Sequence, residues 1–348
     1  MPDLRIIEGD YVRDILDQPA ALRNTLANLD PTKNLRRLAV KLNRGQFQRV
    51  VLTGMGSSFH VLHPLNLRLV AAGFTPILVE TSELIHYQNP FLDRKTLVVA
   101  VSQSGKSAEM MRMLEMNRRH APIIAVTNSP RSPLARGSNA TLLTRAGKEF
   151  SVSCKTYLTA LLALKWLGDV LCGNNLRRTR QELGDAPTVV ACYLTNWKES
   201  VRTFAGQLRG MRNLFLVGRG ASLAAVGTGA LIIKESAHFH AEGMSSAAFR
   251  HGPCEMLSRE TFVLVFAGDP KTEELNYRLW QDIREKNGKA EIVGATGSGL
   301  PYCLPASPPS LLPILEILPV QMITLALAAC RGREAGRFEL ASKVTTEE

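Results

Sequence analysis

Short apolar runs punctuate the chain, and most of them stop at glycine or at hydroxyl residues. RVVLTG, TPILVE, TLVVAVS and PIIAVTN follow one another in the first half, and NLFLVG, TFVLVFAG and AEIVGAT in the second. Runs of this length, rich in branched residues and closed by glycine, predict central strands of a parallel sheet. Between them, segments such as SAEMMRMLEMNRR and GALIIKESAHFHAE read as helices. Strands alternating with helices predict α/β units with parallel pairing.

The pattern repeats. RVVLTGMGSSFHVLHPLNLRLVAAGFTPILVETSELIHY reads strand, Gly-x-Gly turn, helix, strand, acid and serine; NLFLVGRGASLAAVGTGALIIKESAHFHAEGMSSAAFRH gives the same succession. Gly54 and Gly218 open the two turns, and Glu80 and Glu242 follow them. A duplicated open α/β domain is the economical reading. LCGNNLRRTRQELGDAP, polar and broken by Gly and Pro, places a boundary between the halves. The expected organisation is a helical lead-in over 1–45, a first domain over 46–178, a second over 190–330 and a polar tail over 331–348. A dinucleotide fold is demoted, because neither GMGSSF nor GRGASL completes G-x-G-x-x-G.

The stretch VSQSGKSAEMM puts Ser102, Ser104 and Ser107 around Gly105, straight after a strand. Ligands of parallel sheets sit beyond the carboxyl ends of the strands. There the free N–H groups of a following helix favour an anion, and hydroxyls donate to its oxygens. A helix cap needs one hydroxyl; a spray of them with Gln103 argues for a phosphate cradle. The matching strand of the second half ends in FAGDP, with an acid in place of the serines, so one phosphate per chain is expected, in the first half.

Composition narrows the ligand. The 348 residues carry a formal net charge of +11, with 45% hydrophobic and 21% charged residues, as in an ordinary globular chain that prefers anions. The basic residues are scattered, without aromatic interleaving, which argues against nucleic acid. The six cysteines are far apart with no C-x-x-C, which reads as reduced thiols of a cytoplasmic protein. The N-terminus is too polar for a signal peptide. LLPILEILPVQMITLALAAC carries Glu316, Pro313 and Pro319 and reads as a buried helix rather than a membrane span.

In the second half, Lys234, Glu235, His238, His240, Glu242 and His251 are concentrated. His238 and His240 are two apart, on different faces of a helix, so packing is preferred to a metal site and no metal is expected. Glu235 and His251 carry more. His251 precedes Gly-Pro, a turn that would fix an imidazole. A carboxylate and an imidazole suffice to open a sugar ring and to move a proton between C1 and C2.

GMGSS, SQSGKS, KE…HAEGMSSAAFRHGP and SKVT together resemble the double sugar-isomerase (SIS) domain family. Within it, the chain is similar to the isomerase half of glucosamine-6-phosphate synthase and to the SIS-type glucosamine-6-phosphate deaminases. The resemblance runs from about residue 20 to the tail. It implies two tandem SIS domains, each a parallel sheet flanked by helices in a flavodoxin-like three-layer sandwich. It implies an enzyme without a cofactor, acting on a sugar 6-phosphate. No glutaminase domain is matched, so ammonia from glutamine is not expected. By position, Ser57, Ser58, Ser102, Gln103, Ser104 and Ser107 resemble the phosphate-binding set, with Gly56, Lys155 and Glu242 also at the substrate site. Glu235 resembles the base, and His251 the ring-opening histidine, which in the family reaches a neighbouring subunit and so implies a homodimer. Lys343 in SKVT resembles the lysine of a tail that closes over the sugar.

Two positions depart from the family. Ile232 replaces a lysine one turn before the glutamate, and Thr228 replaces a preceding glutamate. The expected activity is isomerisation or deamination of an amino-sugar 6-phosphate. A deglycase of fructosyl-amine 6-phosphates is the alternative, and a non-catalytic sugar-phosphate sensor a second. No membrane partner is expected.

Overall fold

The computed structural model describes residues 3–118, 120–295, 299, 301–340 and 342–345. The expected lead-in and tail therefore extend outside the described residues at 1–2, 341 and 346–348. The chain divides into two compact units. One contains the described residues of 20–149, 155–184 and 340–345; the other contains those of 3–19, 150–154 and 185–339.

The first unit is built on a five-stranded sheet. Its strands are β1 (Arg49–Gly54), β2 (Pro76–Glu80), β3 (Thr96–Val101), β4 (Ile123–Thr127) and β5 (Ala140–Leu143). They lie in the order β2-β1-β3-β4-β5, all parallel, as the apolar runs predict. Every residue of β3 and β4 is buried, which a strand covered on both faces requires. On one face Val51, Val98, Ala100 and Ile123 pack with Met110 and Met113 of the helix Ala108–Asn117 and with Leu134. Lys155–Leu171 packs on β4 and against Leu62–Ala71, which itself lies on β1 and β2. The order β2-β1-β3 means that the chain changes direction between β1 and β3. A crevice opens at such a switch point, beyond the carboxyl ends of the strands.

The second unit repeats this with β6 (Asn213–Gly218), β7 (Ala241–Ser245), β8 (Thr261–Phe266) and β9 (Lys289–Val293), parallel and in the order β7-β6-β8-β9. Phe215, Val217, Val263 and Val265 form a core with Phe249, Leu279 and Ile283. Helix Leu223–Ala237 packs on β6 and β7 and against Ile317–Cys330. Pro309–Cys330 is long and apolar enough to cross a membrane, yet 89% of its most apolar window is buried inside the fold. Glu316, in the break before Ile317–Cys330, is wholly buried.

One predicted helix is shorter than its sequence pattern. GALIIKESAHFHAE stops being helical at Ala237, because His238 takes the left-handed conformation, φ 48°, and donates its N–H to the Lys234 carbonyl. The chain then enters β7. His238 packs at that helix end, its Nε2 3.1 Å from Arg333 Nη2.

Candidate functional site

Strand register brings the two singled-out loops of the first unit together. Thr53 of β1 lies opposite Ala100 of β3, so the strands end side by side. A Cβ added at Gly54 would lie 3.0 Å from the Val101 carbonyl oxygen. Gly56 then takes φ +52°, a conformation glycine adopts freely, and the short helix Ser57–His60 begins with Ser57 and Ser58. The Ser57 hydroxyl is buried with no hydrogen-bond partner among the described residues. A buried hydroxyl left without a partner is uncommon and costly.

From β3 the chain runs into Ser102, Gln103, Ser104 and Gly105. Ser102 Oγ accepts the Gly105 N–H at 3.0 Å and Ser104 Oγ accepts the Lys106 N–H at 3.3 Å. Each hydroxyl therefore braces the turn with a lone pair and still has its own proton to donate. Ser107 precedes helix Ala108–Asn117, but its side chain makes no capping bond. Helix capping thus does not account for this loop's hydroxyls. The helix directs its positive end at the loop.

The loop is held from β4. The Gln103 carbonyl accepts from Asn128 N at 3.1 Å and from Thr127 Oγ1 at 3.2 Å, and the Gly105 carbonyl accepts from Leu134 N at 3.1 Å. Asn128 in turn receives the Ala146 N–H on Oδ1 and donates Nδ2 to the Gly147 carbonyl, both at 2.8 Å. Lys155 opens the helix Lys155–Leu171 and is 5% exposed. Lys343 pairs with Glu149 at 2.8 Å. Asn128 and Glu149 escape sequence reasoning; their signals are an Asn just after a strand and an acid just before a helix.

His63 stacks parallel to His60 with ring centres 6.2 Å apart. Burial pushes the His63 imidazole below its usual range, so it is neutral at pH 7.

The remaining expected residues stand in the second unit, on three different elements. Glu235 is half-buried in the last turn of Leu223–Ala237. Glu242 lies on β7, with His240 Nε2 at 3.4 Å. His251 follows Ser246–Arg250, exposed, its N–H bonded to the Ala248 carbonyl, and Gly252 after it takes φ 132°. Thr228 and Ile232, the two departures, are both fully buried.

Comparison with known proteins fits this duplicated architecture. The SIS domain model matches twice, over residues 46–168 and 207–331. The glutamine–fructose-6-phosphate aminotransferase (isomerizing) of Pyrococcus horikoshii is 29% identical over 356 positions, which cover 98% of this chain and 58% of that protein. The chain thus spans little more than half the length of such relatives. The C-terminal domain of glucosamine-fructose-6-phosphate aminotransferase from Francisella tularensis superposes with a TM-score of 0.83, at 20% identity, over 95% of this chain and 98% of that one. A glucosamine-6-phosphate deaminase from Thermotoga maritima gives 0.79, also at 20% identity, over 97% of this chain and all of its own. At that identity the two structures speak to the fold alone.

Proposed function

The chain belongs to the SIS domain family, and from that premise we propose that it is a sugar-phosphate isomerase or deaminase acting on an amino-sugar 6-phosphate. The observation that carries this reading is the serine loop at the β1/β3 switch point, whose hydroxyls cap no helix and keep protons to donate. A 6-phosphate held there by Ser57, Ser58, Ser102, Gln103, Ser104 and Ser107 leaves the sugar's carbon chain for proton transfer. Glu235 is assigned the carboxylate that takes the C2 proton of open-chain glucosamine 6-phosphate and returns it to C1. His251 is assigned the imidazole that protonates the ring oxygen. The resulting C2 imine adds water and releases ammonia, leaving fructose 6-phosphate. His251 supplied by a second copy makes the working unit at least a homodimer.

The burial of Thr228 and Ile232 favours a second reading, a deglycase of fructosyl-amine 6-phosphates. Neither a carboxylate nor an ammonium stands at those positions, and a reaction run by one glutamate and one histidine needs neither. The deciding experiment follows ammonia and fructose 6-phosphate together on glucosamine 6-phosphate. Equal release of both supports the deaminase. Silence there, with turnover of fructosyl-amine 6-phosphates, supports the deglycase; silence on both leaves a sugar-phosphate sensor. Glu235→Gln must abolish whichever turnover is found, or the assignment of the base is wrong.

A further inference from the structure

The short helix Pro133–Gly137 begins against the serine loop, where the Gly105 carbonyl accepts Leu134 N at 3.1 Å. It ends at a cavity of about 330 Å³. Asn139, in the cavity wall, exchanges two hydrogen bonds with Ile123, the first residue of β4, so the cavity lies beside the amino end of that strand. The serine loop follows the carboxyl end of the parallel neighbour β3, and the two places are at opposite ends of the sheet. Asn34 and Arg37 of the helix Lys33–Asn43, with Asn117, Arg136, Ser138 and Asn139, supply the polar wall. None of the described residues lining it is acidic.

The wall is rich in donors. Asn139 Oδ1 accepts Ile123 N at 2.8 Å, which commits the oxygen of that amide and leaves Nδ2 to donate elsewhere. Asn117 is 3% exposed and fixed, with Oδ1 on Ala121 N at 2.9 Å and Nδ2 on the Ala121 carbonyl at 3.0 Å. The exposed Arg37 side chain makes no ion pair or hydrogen bond among the described residues. Arg136 gives one N–H to the Arg131 carbonyl, and a guanidinium has several more. Helix ends do not decide the sign: Lys33–Asn43 brings its first turn and Ala108–Asn117 its last, about half a charge each and opposite. Two guanidiniums without an acid beside them do decide it, and they attract an anion. A carboxylate offers about four lone-pair sites, fewer than Arg37, Arg136 and Asn139 Nδ2 can fill. A phosphate group, with three strong acceptor oxygens on one centre, can take two guanidinium forks at once.

We propose that this cavity is a second oxyanion site, built for the phosphate group of a small phosphorylated metabolite and separate from the serine loop. It depends neither on what the serine loop binds nor on which reaction the chain runs. Its size, at the lower end of ligand sites, limits the ligand to a small phosphomonoester or phosphate itself.

The test follows amide signals of the full chain by NMR during titration with inorganic phosphate, then with glycerol 3-phosphate, at constant ionic strength. The Gly137 amide and the Asn139 side-chain amide shift and saturate at roughly millimolar phosphate, and the tighter of the two probes names the ligand. Arg37→Met and Arg136→Met each weaken this affinity by about tenfold. Both side chains are exposed, so neither change touches the core. Arg37→Lys also weakens it, because an ammonium keeps the charge and loses the fork. In Ser104→Ala the response of Asn139 is unchanged, whatever happens at Gly105. The absence of a saturating shift, or equal affinity in both methionine variants, overturns the site. An equal shift with acetate, or an Arg37→Lys variant that binds as well as the parent, overturns the phosphate assignment. A response at Asn139 that weakens with Ser104→Ala has been relayed from the serine loop through Pro133–Gly137, and overturns a separate site.

Discussion

The Ser102 hydroxyl accepts the Gly105 amide at 3.0 Å, so the side chain that shapes the turn after β3 is also one whose proton is free to reach an anion. Ser102 is 8% exposed, and its loss leaves the Gly105 N–H without an acceptor. Ser102→Ala is expected to weaken binding of a sugar 6-phosphate by about 10- to 100-fold and to lower stability by ~1 kcal/mol. Ser104→Ala, whose hydroxyl serves the exposed Lys106 amide, weakens binding similarly with little change in stability. Titration calorimetry and urea unfolding separate the two effects; equal binding by both variants and the unaltered protein removes the cradle.

Gly105 is constrained more severely than its neighbours. It sits at φ +63°, and an added Cβ would lie 2.4 Å from Ser132 Oγ and 2.7 Å from Ser132 Cβ. Ser132 cannot yield freely, because its hydroxyl accepts Ala135 N and starts the helix Pro133–Gly137. Gly105→Ala therefore costs strain at a positive φ together with a steric clash, roughly 2–4 kcal/mol, and should abolish phosphate binding. A variant that melts like the unaltered protein and still binds would show that this turn is not what holds the ligand loop.

Much of this was legible in the sequence. Short branched runs ending in glycine or serine marked the strands from RVVLTG to AEIVGAT, because buried parallel strands need that composition on both faces. The serine loop was legible because its hydroxyls exceeded what a cap needs. Long-range pairings were not. Nothing near Glu149 announces Lys343, 194 positions away, and nothing near Gln103 announces Asn128. The end of Leu223–Ala237 was missed because a histidine, rather than a glycine, adopts the left-handed capping conformation. Ile232 and Thr228 were visible as departures, but only the fold shows that both point into the interior.

That burial predicts what restoring the family's lysine would do. Ile232 is 0% exposed on the helix Leu223–Ala237, so Ile232→Lys places an ammonium in an apolar interior and should cost ~3 kcal/mol or more. Thr228 is equally buried and its Oγ1 has no partner among the described residues. Thr228→Val, which removes that unmet hydroxyl at the same shape, should raise stability by about 1 kcal/mol. Urea unfolding measures both. An Ile232→Lys variant as stable as the parent would mean that this position opens toward water, against the burial seen.

The last prediction concerns pH. Glu316 is wholly buried, and burial pushes its carboxyl up to about 8, opposed by the bond it accepts from Ser222 Oγ at 2.7 Å and aided by the nearby charge of Asp269. Unfolded, the group returns to its ordinary value of 4.5. Between those limits the folded chain holds a proton that the unfolded chain has released. Stability must then fall as pH rises, with a slope from this residue of at most ~1.4 kcal/mol per pH unit, and the decline stops above the folded value. Glu316→Gln keeps the acceptor for Ser222 but cannot titrate, so its stability should exceed that of the unaltered protein most clearly at pH 9 and lose that advantage near pH 4. Unfolding curves taken across this range decide the matter: parallel pH profiles for the two proteins would mean that Glu316 ionises in the folded chain as it does in water.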